Sequence, residues 1–236
     1  MTDFLSALSS LPSTTILTAL VITVSLLVIV EDWRVLNLLL GVEYLLIGAL
    51  LIVAQIDGFP VVLAIVKSLV GVMIVPALYI SARRARWGKR ASDADEDVET
   101  PARPLRHSPL RGSQGWLRAP GLALHTIVAV LGAAVALSLA LRSPVQFITP
   151  QSAARDLTIA VFVLFAQGTL NVALSENPLK IGLGLLTVIA GFELLYTPVE
   201  PSFLIVALLG MVNLLIALAF SYLIAAWAAR PRGAAQ

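Results

Sequence analysis

Two opposite charges stand where this chain is otherwise at its most apolar. The stretch "RVLNLLLGVEYLLIGALLIVAQ", residues 34–55, carries Glu43, and "AIVKSLVGVMIVP", residues 64–76, carries Lys67. A charged side chain at the centre of a bilayer costs about 2.5–3.5 kcal/mol on insertion scales, so groups kept there mark ion pathways or pair with one another. Opposite signs make co-location favourable, because each charge offsets the other's desolvation. A lysine, unlike an arginine, can release its proton inside a protein. A Lys–Glu pair can therefore hold or pass a proton where an Arg–Glu pair cannot. The blander reading is a static ion pair that locks two helices together. Glu193, in "GFELLY", is a second intramembrane acid without a basic partner in its own hairpin. His125 suits a proton relay or an interfacial position. Gln167 and Asn171 are four apart and share a helix face, and Asn213 stands midway along the last apolar run. Neutral groups of this kind bond helix to helix or hold the waters of a proton wire.

The elements that must position these residues are membrane helices. The 236 residues are 58% hydrophobic and 13% charged, against about 25% charged in an ordinary soluble domain, and mean hydropathy is +0.93. The absence of cysteine excludes disulfides, thiolate metal sites and iron–sulfur ligation. His107 and His125 lie too far apart to form a ligand cluster. No phosphate-binding glycine loop, metal-ligand spacing or nucleophile–base pair is visible, so neither covalent catalysis nor a cofactor is expected. The net charge of +2 is concentrated in one stretch, and no nucleic-acid partner is expected. The N-terminus "MTDFLSALSS" has an acid where a signal peptide would have a basic region, and is expected to stay uncleaved.

Apolar runs of about 20 residues, the length that crosses a bilayer, fall at 13–30, 34–55, 59–81, 120–141, 156–174, 178–197 and 202–228. The expected fold is thus an all-α, polytopic transmembrane bundle of about seven helices; counting the polar fifth run as a surface segment would give six. The connection 82–119 holds nine basic residues from Arg83 to Arg118. Placing it in the cytoplasm also puts Arg34, Lys180, Arg230 and Arg232 inside, leaving only Arg142 and Arg155 outside. The positive-inside bias therefore predicts an outer N-terminus and a cytoplasmic C-terminus in the cell inner (cytoplasmic) membrane. The chain divides into a three-helix unit (1–81), a charged cytoplasmic loop (82–119) and a four-helix unit (120–236). The loop, "RRARWGKRASDADEDVETPARPLRHSPLRGSQGW", buries too little apolar surface to order itself in isolation. It reads as a flexible linker with stop-transfer charges, or as a docking tether for a soluble partner.

Helices 1–3 and 5–7 echo one another. In each trio the second helix has a basic residue at its inner end, Arg34 or Lys180, followed by an acid nine or thirteen residues later, Glu43 or Glu193. The outer connections "DGFPVV" and "PVEPSF" also match. This is a weak parallel three-helix repeat, of the kind related by an axis along the membrane normal. Helices 2 and 3 are joined by a short turn and must be neighbours, so Glu43 and Lys67, both near mid-membrane, are expected to meet directly or through water.

Arg34, Asn37, Gly41 and Glu43, in "RVLNLLLGVE", resemble the second helix of the K subunit of respiratory complex I. There an Arg-Asn start leads through leucines to a Gly-x-Glu whose glutamate belongs to the hydrophilic axis of the membrane arm. The asparagine here is displaced from its place directly after the arginine, and Lys67 stands on a helix where the K subunit has a second glutamate. "IVKSLVGVMIVP" is similar instead to the Lys-x-Leu…Pro helix of component E of hydrogenase-4, a longer relative of the K subunit. The resemblance covers residues 15–81 and, loosely, 156–228. It implies a small membrane subunit without a redox centre, seated beside antiporter-like subunits of a complex I-like assembly and contributing to a proton or sodium path. The path residues it and the charges suggest are Glu43, Lys67, Glu193 and His125, supported by Arg34, Asn37, Gln167, Asn171 and Asn213. A stand-alone secondary transporter and a structural spacer with a locked Glu–Lys pair are the alternatives.

Overall fold

The computed structural model describes residues 12–54, 60–99, 119–143, 151–198 and 202–228. Among the described residues the chain forms seven α-helices and no strand: α1 (Ser13–Ile29), α2 (Trp33–Val53), α3 (Pro60–Glu99), α4 (Ala119–Arg142), α5 (Gln151–Leu174), α6 (Pro178–Tyr196) and α7 (Phe203–Ala228). Each expected apolar run is a helix. Six of the helices are long and apolar enough to cross a membrane, the polar α5 among them; α1 is the shorter one. Its 17 residues span about 26 Å, at the lower end of what crosses a hydrocarbon core.

Asx residues start the second helix of each trio. The Asp32 side chain accepts from the Arg34 backbone N–H at 2.9 Å, and Asn177 accepts from the Leu179 N–H at 3.0 Å, with Pro178 at the first position of α6. Both are N-caps that satisfy a donor the helix leaves free. The two turns repeat one another in cap chemistry as well as in sequence.

The largest difference from the sequence reading lies in α3. It does not stop near residue 81 but continues through Pro76 and on to Glu99, so residues 82–99 of the charged connection are helical. Extending a helix that already exists carries no nucleation cost, and no proline follows Pro76 until Pro101. The remainder of that connection, 100–118, lies outside the described residues.

α1, α2 and α3 pack side by side in chain order, as do α5, α6 and α7. The two rows face one another with α1 against α5, α2 against α6 and α3 against α7, while α4 packs on α1 and α5 at one edge. The trios are stacked in register, each helix of the first facing its counterpart in the second. One apolar cluster joins α1, α2 and α5 around Leu20, Val24, Ile47, Leu50 and Leu164. A second joins α2, α3, α6 and α7 around Leu36, Leu40, Tyr44, Ile74 and Leu183. The outer faces of α4 and α7 present Ile127, Leu131, Leu204 and Leu208, apolar groups matched to lipid.

Candidate functional site

The polar centre lies where α2, α3, α6 and α7 converge, at the boundary of the two apolar clusters. Glu43 stands halfway along α2 and Thr187 halfway along α6, and Thr187 donates from Oγ1 to Glu43 Oε2 at 3.0 Å. Glu193 lies six residues further along α6, about 9 Å nearer the end where α6 turns into α7. Lys67, eight residues into α3, pairs through Nζ with Glu193 Oε2. Asn213 of α7 donates from Nδ2 to Glu193 Oε1 at 2.6 Å, so both carboxylate oxygens of Glu193 are engaged. All of these groups are buried, Glu43 and Asn213 completely.

This pairing corrects the sequence expectation. The lysine bonds Glu193 in the opposite row of helices, and its bond is not to Glu43 on the neighbouring helix. Its position near the start of α3 also places it nearer the α2–α3 end than mid-membrane. Glu43 nonetheless stays within electrostatic reach of Lys67.

Tyr44 completes the centre. Its ring lies under Lys67, with Nζ 4.5 Å from the ring centroid, a cation–π contact that gains strength when desolvated. Gly71 of α3 makes room for it: a Cβ there would fall 2.7 Å from Tyr44 Cβ. Buried polar atoms normally find partners, yet Glu43 Oε1, the Tyr44 hydroxyl and Asn213 Oδ1 have none among the described residues. A cavity of about 20 Å³ opens beside Lys67 and Glu193, lined also by Thr197 and by Leu51, Leu63 and Val206. That is room for about one water.

The remaining candidates sit elsewhere. Gln167 donates from Nε2 to the Ala129 carbonyl of α4 at 2.7 Å and to Ser25 Oγ of α1 at 3.4 Å, tying three helices together. Asn171 accepts at 3.5 Å from the Oγ of Ser175, just past the end of α5. Asn37 bonds locally, Nδ2 to the Trp33 carbonyl at 2.9 Å. The Arg34 guanidinium lies 5.4 Å from the Trp33 ring centroid. Lys180 donates to the Val28 carbonyl at 3.2 Å, where a cation complements the C-terminal end of the α1 dipole. His125 is on α4, which packs on α1 and α5, away from the charged centre.

Two buried polar groups lie outside the set the sequence reading names. Thr187 is an ordinary residue in an apolar helix and carries no signal of its own. Asp156 is buried at the start of the apolar part of α5 and accepts from the Ser13 hydroxyl of α1; its signal in the sequence is that of a further acid at the edge of an apolar run. Among the described residues, no group of three His, Cys, Asp or Glu side chains is placed to hold a metal ion.

These features define a class, a polytopic all-α membrane protein with a buried ionic centre. No family model matches the chain, and neither a curated protein nor a solved structure does.

Proposed function

We propose that the chain is a membrane subunit of a complex I-like or group 4 hydrogenase-like assembly, contributing a segment of its intramembrane proton or sodium path beside antiporter-like subunits. The observation that carries this reading is the buried centre of Glu43, Lys67, Glu193 and Asn213 within a bundle whose outer faces suit lipid. Ionisable groups in that setting are expensive and accompany ion movement. Their roles divide. Glu193, with both oxygens engaged, anchors Lys67. Glu43, with one oxygen unpartnered, is the group free to exchange a proton. In this reading the N-terminus is outside and the C-terminus cytoplasmic, in the cell inner membrane.

The direct Lys67–Glu193 pair, with both Glu193 oxygens engaged, favours a second reading, in which the centre only locks helices and the chain is a spacer. A third, a stand-alone secondary transporter, would need several polar groups lining a central cavity; the cavity beside Lys67 has room for about one water. Purification of the tagged chain from its native membrane in mild detergent tests the subunit reading. Large membrane subunits should leave with it. A monodisperse monomer or homo-oligomer that moves a solute unaided overturns the assignment.

A further inference from the structure

Thr18, Thr23, Ser81, Thr158 and Thr197 each donate to the carbonyl four residues back, at 2.7–2.9 Å, a usual partner for a hydroxyl in a helix. Thr187 does not. It is buried halfway along α6 and donates across to Glu43 Oε2 at 3.0 Å. Among the described residues Glu43 receives no other hydrogen bond, since its Oε1 has no partner. A carboxylate can only accept, whereas a protonated carboxyl also has a hydrogen to donate. A hydroxyl suits both, with one hydrogen to give and two lone pairs to offer. Threonine in a helix can also turn its hydrogen to a carbonyl of its own helix.

We propose that Thr187 is the positioning residue of Glu43, a hydroxyl that donates to the carboxylate and turns round to accept from it once Glu43 takes up a proton. No bond to Thr187 forms or breaks. The new carboxyl hydrogen goes to Thr187 Oγ1, and the threonine's own hydrogen turns to the Leu183 carbonyl, one turn back on α6. That is the partner the other five hydroxyls already use. A donor to the charged form favours that form, so the hydroxyl holds Glu43 ready to release its proton. Of the helices packed on α2, α1 carries no ionisable side chain. α3 brings Lys67 to the centre, and α6 brings Glu193, bonded to that lysine. Lys180 lies two turns from Thr187 at the other end of α6, bonded to the Val28 carbonyl. Tyr44 is the neighbour on α2 itself, and changes at Thr187 leave all four in place. This deepens the proton-path reading and rests on it.

The test is infrared difference spectroscopy, over an acid titration, of the chain purified from its native membrane with the subunits that accompany it. The carboxyl C=O band that Glu43→Gln abolishes belongs to Glu43. In the wild type that band should lie at the frequency of a hydrogen-bonded acid, and a free-acid band there overturns the proposal without any variant of Thr187. Thr187→Val keeps the shape and removes the hydroxyl. It should move the band to the free-acid frequency and raise the ratio of protonated to ionised Glu43 at a given pH about tenfold, as expected for a lost bond to a charged group. Thr187→Ser should restore both. A threonine that only packs predicts a valine variant with the wild-type band and ratio, which overturns the proposal. Proton flux through the parent complex separates this from the path. A band that moves in Thr187→Val, with full flux in Glu43→Gln, keeps the turning hydroxyl and removes the path. An unmoved band with impaired flux in Glu43→Gln removes the hydroxyl's role and leaves the path standing.

Discussion

Lys67 has two carboxylates within electrostatic reach and bonds only Glu193. Removing one partner of a buried ion pair leaves the other charge uncompensated, a loss of about 3–5 kcal/mol, whereas replacing both is often neutral. Lys67→Met alone should therefore lower the thermal stability of the assembled protein sharply, and Lys67→Met with Glu193→Gln should recover most of it. A melting series on the two variants checks this; equal losses would show that the pair is not coupled. That charges would be found inside the membrane was legible, because Glu43, Lys67 and Glu193 interrupt apolar runs. Their pairing was not. Adjacency in a hairpin is the only neighbour relation that sequence supplies, and the bond that forms joins residues on α3 and α6 that are far apart in the chain.

α5 and α6 approach closely at Gly168 and Gly184. A Cβ on Gly184 would fall 2.8 Å from the Gly168 carbonyl oxygen and 2.9 Å from the Val172 backbone nitrogen. Backbone atoms cannot rotate aside, so the helices would have to separate. Small residues at such crossings are what let membrane helices pack. Gly184→Ala should cost about 1–3 kcal/mol, read as a lowered melting temperature. Gly41→Ala, where the nearest atom is a Val75 methyl carbon at 3.3 Å, should cost clearly less. Equal effects would contradict the packing account. At this scale the helices themselves were legible, since length and apolarity suffice to find them. The stacking of the trios in register was not, because apolar lipid-facing and helix-facing surfaces look alike in composition. The helical stretch 82–99 was missed for a different reason. Its composition argues against independent folding, but it does not fold independently; it prolongs α3.

The whole molecule is a two-layer bundle, edged by α4, whose outer surface suits lipid and whose ionic centre lies within the four helices α2, α3, α6 and α7. The charge bias of its connections predicts that a reporter fused near Asp95 is reachable only from the cytoplasm, and labelling of that position from outside intact cells would reverse the orientation. The membrane class was legible from composition alone, and the proposal of a parent assembly rests on resemblance in short motifs and on the chemistry of the centre. The central claim is that Glu43 carries protons and does not merely fill space. Its most direct test is proton translocation by the reconstituted parent complex bearing Glu43→Gln, since glutamine keeps the shape and the acceptor for Thr187 while removing the titratable acid. The account predicts that the complex assembles and that its proton flux falls about tenfold or more; an assembled complex that pumps at the wild-type rate would contradict it.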